Sequence, residues 1–174
     1  VGGEGLRPQD SYSQIGVLNL ADKSLKQFTE GNYQHQLIAT SNDGGQLIIG
    51  VNRAESLDYE FRQPLYFVDV NTKEETVLIE QDGYYGGAVY SNDGKYIAFV
   101  GSDLQYKNAT HSNVYIYHVE EGYVQNLTGE LDAPIGDYSV ADTQQGVNAP
   151  SVVWTENNDL YFQLSTMGDV RLYF

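Results

Sequence analysis

Ser41-Asn42-Asp43-Gly44 leads into the apolar run Gln46-Leu47-Ile48-Ile49-Gly50, and fifty residues later Ser91-Asn92-Asp93-Gly94 leads into Tyr96-Ile97-Ala98-Phe99-Val100. One such tetrapeptide is an ordinary hairpin turn, because Asn and Gly accept positive φ. The second copy carries more meaning, since the surrounding segments keep the same spacing. Pro64-Leu65-Tyr66-Phe67-Val68-Asp69-Val70 corresponds to Asn113-Val114-Tyr115-Ile116-Tyr117-His118-Val119, at an offset of 49. Fifty residues upstream of Val77-Leu78-Ile79-Glu80 stands Gln27-Phe28-Thr29-Glu30, preceded by Ile15-Gly16-Val17-Leu18-Asn19-Leu20. After a longer insertion, the stretch from Val153 to Phe162 repeats the pattern from Val89 through Gly94 and its strand. One unit therefore reads strand, tight turn, strand, long loop, strand, short turn, strand. Four antiparallel strands in about 50 residues is the period of a β-propeller blade.

The expected fold is all-β: a partial β-propeller of about three and a half four-stranded antiparallel blades in a single unit over residues 1–174. Residues 12–31 supply two blade-ending strands, 33–81 and 84–129 one blade each, and 147–174 part of another. Propellers close with about four to eight blades. So short a wedge cannot close, and it is expected to belong to a longer polypeptide or to an assembly that supplies the other blades. Its open edges are expected to favour self-association.

Composition agrees. Tyr 15, Phe 6 and Gly 18 against only Pro 4 suit short strands joined by turns, and 41% hydrophobic residues suffice for a core. Nine Lys and Arg against 24 Asp and Glu leave a formal net charge of −15, which repels phosphate backbones and anionic membranes. Nucleic acid and membrane are therefore not expected partners. Cys 0 excludes disulfides, thiolate metal sites and a cysteine nucleophile. Val1-Gly2-Gly3-Glu4-Gly5 lacks the basic start and apolar core of a signal peptide, so a cytoplasmic location is expected.

The strand order sorts the loops. Asn42-Asp43-Gly44, Asn71-Thr72-Lys73, Asn92-Asp93-Gly94 and Glu120-Glu121-Gly122 make tight turns at one end of the blades. Arg53–Gln63, Ser102–Ser112 and Gly129–Ala149 form long polar loops at the other. Long loops without secondary structure are uncommon unless they have a function, so function is expected at that end or at the channel mouth there.

Ser91-Asn92-Asp93-Gly94-Lys95-Tyr96-Ile97-Ala98-Phe99 is close to the S-P-D-G-K-x-I-A-F motif of TolB-like and peptidase propellers. With Tyr106 to Asn113, Gly136-Asp137-Tyr138 and Ser165-Thr166-Met167-Gly168, the ordered set resembles the N-terminal propeller of S9-family serine peptidases, the prolyl oligopeptidase and acylaminoacyl-peptidase group. The resemblance implies a propeller seated over a C-terminal α/β-hydrolase domain with a Ser-Asp-His triad, which admits short peptides and excludes folded proteins. No G-x-S-x-G elbow occurs in the chain, so no catalytic residue is assigned within it. The expected function is the gating portion of an intracellular peptidase, with the hydrolase domain of the same polypeptide and oligopeptides as partners. One alternative is a TolB-like, non-enzymatic protein-binding propeller. Another is a propeller lyase or hydrolase acting on acidic sugars. That activity requires basic side chains on the inner strands, yet Leu37-Ile38-Ala39-Thr40 and Gly87-Ala88-Val89-Tyr90 are uncharged.

The candidate substrate or partner face comprises Arg53, Glu60, Arg62, Tyr84, Tyr85, Lys107 and His111. An arginine there can bind a peptide carboxylate with two prongs and a glutamate can bind a free amino terminus, although salt bridges within the loop are the plainer reading. Tyr84-Tyr85 opens an innermost strand near the channel, where aromatic packing between blades is the ordinary role. No metal or cofactor is expected. His35, His111 and His118 belong to different elements, Asp43-Gly44 and Asp93-Gly94 lack the rest of a calcium loop, and Asp132, Asp137 and Asp142 read as a solvated acidic loop. The sequons Asn108-Ala109-Thr110 and Asn126-Leu127-Thr128 are read as chance matches.

Overall fold

A computed structural model describes residues 12–54, 62–103, 111–131, 133–136, 152–166 and 169–174. These form thirteen strands in four antiparallel sheets and no helix. The first sheet pairs β1 (Gly16–Leu18) with β2 (Leu25–Gln27). The second runs β3 (His35–Thr40), β4 (Gln46–Val51), β5 (Leu65–Asp69), β6 (Glu75–Ile79). The third repeats it as β7 (Tyr84–Tyr90), β8 (Tyr96–Ser102), β9 (Asn113–His118), β10 (Tyr123–Asn126). The last contains β11 (Val152–Trp154), β12 (Leu160–Thr166) and β13 (Asp169–Tyr173). Each sheet is a plain meander, so the chain is a partial β-propeller of two four-stranded blades flanked by two incomplete ones.

The core lies between blades. Along β4, Leu47, Ile49 and Val51 pack with Ile15, Phe28 and Val68 toward the first blade, while Ile48 joins Ile97, Phe99 and Tyr115 toward the third. Likewise Ala98 on β8 turns the opposite way from its neighbours, toward Val152 and Leu164 of the last blade. Alternation in a strand places successive side chains on opposite faces. A central strand buried on both faces must therefore be apolar at every position, which is why Leu47-Ile48-Ile49 and Ile97-Ala98-Phe99 read as continuous runs. Fully burying each such side chain contributes about 1.5–3 kcal/mol.

The repeated turn works as a unit. Gly44 and Gly94 both adopt φ 72°, where a Cβ would be strained. Ser41 Oγ donates to Asp43 Oδ1 at 2.6 Å and accepts from Gln46 N at 3.0 Å; Ser91, Asp93 and Tyr96 reproduce this at 2.7 and 3.0 Å. These serine hydroxyls, followed by backbone N–H groups, hold the Asp43 and Asp93 carboxyls below their ordinary pKa. In the third copy Asn158 takes the glycine's place with φ 64°.

The asparagine of the turn reaches sideways. Asn42 Nδ2 donates to Ser91 O at 2.9 Å, and Asn92 Nδ2 donates to Thr155 O at 2.6 Å, so each turn clasps the corresponding turn of the next blade. Trp154 Nε1 adds a bond to Val89 O at 3.2 Å. Thr128 explains part of the Asn126-Leu127-Thr128 match. It is buried, and its hydroxyl accepts from Val114 N at 2.9 Å, as Thr29 accepts from Ile15 N at 2.9 Å in the first blade.

The two ends of the wedge carry exposed apolar side chains. Leu20 and Leu25 stand 83% and 74% exposed beside β1 and β2, and Phe174 is 89% exposed after β13.

Candidate functional site

The inner strands β3, β7 and β11 each lie at one end of their sheet and succeed one another around the wedge. Chain direction places the starts of these strands at the end occupied by the long loops. Between the second and third blades at that end, Gln63 holds the seam. Its N–H donates to Gly83 O at 2.8 Å and its Nε2 to Tyr85 O at 3.0 Å. A Cβ on Gly50 would lie 2.7 Å from the Gln63 amide nitrogen, so the glycine makes room for this side chain.

Beside this seam opens a cavity of about 230 Å³, lined by Asn52, Arg53, Arg62, Tyr66, Glu80 and Asp82 among others. Two of the expected residues thus meet in one hollow, and each has a carboxylate partner. Arg53 Nη1 lies 2.8 Å from Glu75 Oε2, with its guanidinium over Tyr66 at 5.2 Å and Tyr33 at 5.9 Å. Arg62 Nη1 lies 2.6 Å from Asp82 Oδ1. Both arginines stand about one-third exposed, so water screens these pairs. Parity explains Arg53: it continues the alternation of Leu47, Ile49 and Val51, and so crosses the same blade face as Tyr66 and Glu75.

The two adjacent tyrosines part company. Tyr84 is 51% exposed, whereas Tyr85 is fully buried, edge-on to Tyr115 at 5.6 Å and to Phe99 at 6.0 Å. Strand alternation decides this, since neighbours lie on opposite faces of the blade. A Cβ on Gly101 would overlap the Tyr85 ring, and one on Gly83 would come within 2.7 Å of it, so two glycines shape its slot. Among the described residues its hydroxyl has no hydrogen-bond partner, and burial first, then the nearby Tyr115 and Asp103, pushes its pKa up. Tyr85 is thus a packing residue beyond the reach of a substrate.

His111 is exposed just before β9, within the third blade's long loop. Glu60 and Lys107 lie outside the described residues, as do Asp132, Asp137, Asp142 and Asn108 to Thr110. His35 is buried at the start of β3, and His118 stacks on Tyr123 at 4.2 Å. Among the described residues no three His, Cys, Asp or Glu side chains gather as a metal site would require.

Two contacts escaped the sequence reading. Ser165 Oγ donates to Gly136 O at 2.8 Å, joining two motif pieces that are 29 residues apart. At the opposite, tight-turn end a larger hollow of about 500 Å³ lies among Ser41, Asp43, Gln46, Asp69 and Tyr90. There Tyr90 Oη donates to Gln46 Oε1 at 3.0 Å, and burial, with a smaller contribution from Asp43, pushes the tyrosine up to about 12.

No protein-family model matches the chain. It is 27% identical over 173 residues to the Bacillus subtilis protein YuxL, named an uncharacterized peptidase, covering 99% of this chain and 26% of that protein. Its fold is similar to that of an oligogalacturonate lyase in complex with manganese (TM-score 0.66, 15% identity, 94% of this chain and 41% of that one). It is similar as well to the β-propeller domain of the Trilobed protease from Pyrococcus furiosus (0.58, 19%, 91% and 42%). Acylaminoacyl peptidase from Pyrococcus horikoshii is a further match (0.58, 20%, 91% and 22%). At these identities the structural likenesses establish the fold.

Proposed function

We propose that this chain is the non-catalytic propeller portion of an intracellular serine peptidase, governing access of oligopeptides to an α/β-hydrolase domain carried by the same polypeptide. The observation that carries the reading is the match to YuxL, which runs over 99% of this chain yet occupies 26% of a protein named as a peptidase. The remaining length of such a protein accommodates further blades and a hydrolase domain. Propeller domains of proteases among the similar structures, and the ordered motifs around Ser91-Asn92-Asp93-Gly94, support the same reading. The lyase likeness is weaker support for a sugar-acid activity, because β3, β7 and β11 carry no Lys or Arg to hold carboxylates.

The mechanism is steric and positional. A ring of blades leaves an opening through which an extended peptide passes and a folded domain does not, while hydrolysis takes place outside this sequence. The test is to express the full-length polypeptide and treat it with a serine-directed fluorophosphonate probe. Labelling outside residues 1–174, with cleavage of short peptides and sparing of folded proteins, is the expected result. Absence of both labelling and peptide cleavage overturns it in favour of a TolB-like binding propeller. The isolated chain is expected to self-associate through its exposed end strips, around Leu20 and Leu25 and around Phe174; a monomer in sedimentation at high concentration contradicts that.

A further inference from the structure

The second and third blades are the two complete ones, so no missing blade accounts for the hollow of about 500 Å³ at the tight-turn end of their seam. The next seam shows what fills the same space there. Gln46 pairs with Asp69 across β4 and β5, and the same register about fifty residues on pairs Tyr96 with His118. Tyr96 stacks on Trp154 with ring centroids 6.3 Å apart, and His118 contacts Tyr96 at 5.3 Å and Tyr123 at 4.2 Å. Trp154 precedes its turn as Tyr90 precedes Ser91-Asn92-Asp93-Gly94, so Tyr90 is its counterpart at the hollow. Equivalent strands stack at both seams. Shorter polar side chains leave the space open at one, and rings close it at the other.

The open space is chemically one-sided. Asp43 and Asp69 line it together with Tyr90, Gln46, Ser41 and Asn42. The Ser41 hydroxyl, then the Gly45 N–H, hold the Asp43 carboxyl below its ordinary pKa. The N–H groups of Thr72 and then Asn71 do the same for Asp69, so both are charged at neutral pH. Among the described residues neither carboxylate forms an ion pair. The neighbouring lysines act elsewhere: Lys73 Nζ donates to Phe28 O at 3.0 Å, and the Lys95 charge bears on Asp93. The Tyr90 hydroxyl is taken up by Gln46, and the tyrosine forms the aromatic wall.

We propose that this hollow binds the guanidinium of an arginine side chain presented by a basic polypeptide segment. A guanidinium is planar and weakly hydrated, stacks on an aromatic face, and gives a carboxylate two parallel N–H donors, which an ammonium does not. It supplies a flat group against Tyr90, as Tyr96 does against Trp154, and its charge matches Asp43 and Asp69. The volume lies within the range of about 300–1,000 Å³ found for ligand clefts. Glu74, Glu120 and Glu121 in the adjoining turns add to the negative field that draws a cation in. Each complete blade begins and ends at the long-loop end, so the links between blades are made there and leave the hollow accessible at the other end. The proposal does not depend on the peptidase reading.

The experiment titrates the full-length polypeptide with acetyl-arginine methylamide, its citrulline counterpart and its lysine counterpart, followed by saturation-transfer NMR. At low salt the arginine compound is expected to bind about tenfold more tightly than citrulline and about threefold more tightly than lysine. The preference over citrulline is expected to shrink at about 0.5 M salt. Asp43→Asn and Asp69→Asn, which keep the side-chain shape, are each expected to weaken arginine binding about fivefold. Asp93→Asn, at the same turn position beside the filled seam, is expected to leave it unchanged. Gln46→Tyr combined with Asp69→His copies the rings of the next seam into the hollow and is expected to abolish binding. Should that double variant fail to fold, Asp69→Asn against Asp93→Asn carries the comparison. No arginine binding, equal binding of arginine and citrulline, or arginine binding that the Asp43 and Asp69 variants leave intact overturns the site. Peptide hydrolysis is measured in parallel, and its absence sinks the peptidase reading while the arginine site stands or falls on the titrations.

Discussion

The two ends of the blades are built on different logic. At the tight-turn end the same bonds recur in the two complete blades: serine to aspartate, glycine at positive φ, and an asparagine clasping the next turn, with Asn158 taking up the positive φ in the last blade. At the long-loop end Thr29 and Thr128 repeat one bond, while other contacts are particular to their place. Gln63 bridges one seam, Arg53 lies across one blade face, and Arg62 pairs with one connector aspartate. A contact made in every blade follows from the geometry of stacking, and so reads as structure. A contact made once can change without disturbing its neighbours, which leaves the long-loop end free to differentiate.

The largest expected effect tests whether the long-loop end also hides structure. Tyr85→Ala should cost about 3–5 kcal/mol by urea denaturation, the range for emptying a large aromatic site. Tyr85→Phe should be nearly neutral, because the hydroxyl it removes has no partner among the described residues. A small loss for the alanine variant would mean that Tyr85 is not the packed residue described.

Next comes the repeated turn. Gly94→Val should cost about 1–2 kcal/mol, since φ 72° suits glycine and penalises a β-branched side chain. Asn158→Gly, at the equivalent place with φ 64°, should move stability the other way by several tenths of a kcal/mol in the same assay. Asn92→Ala should cost about 1 kcal/mol through the lost clasp to Thr155 O. Equal losses for Asn42→Ala would sharpen the claim that the clasp is a repeated device.

Arg62→Ala sits at the other extreme. Its ion pair is partly exposed, so a change below about 1 kcal/mol is expected, fading with added salt. A loss comparable to that of Gly94→Val would erase the contrast between the ends.

Alkali supplies a final comparison with no effect at neutral pH. Tyr90, pushed up to about 12 mainly by burial, is favoured neutral in the folded state. Its contribution is complete below the unfolded value of about 10 and is lost as pH rises through about 12. Stability measured across that window should fall, and Tyr90→Phe should remove its share of the fall.

Much of the wedge was legible in the sequence because repetition multiplies a weak signal. Ser-Asn-Asp-Gly alone marks a hairpin; recurring at fixed spacing, it set the order of strands and marked the apolar runs that form β4 and β8. The candidate site was less legible. Arg53 and Arg62 were found as loop residues, yet Glu75 lies in another strand and nothing local pairs it with Arg53. Tyr84 and Tyr85 are identical by type and adjacent, and only their parity against the neighbouring blade separates a surface residue from a core one.

Composition and period by themselves determined that this chain makes blades, that the blades are antiparallel meanders, and that negative charge dominates the molecule. Period and alternation are local properties, repeated along the chain and therefore readable without coordinates. Only the tertiary structure decided which faces meet and which arginine finds which carboxylate. Those outcomes depend on residues brought side by side from distant positions, and proximity in space is not a property of any single stretch of sequence.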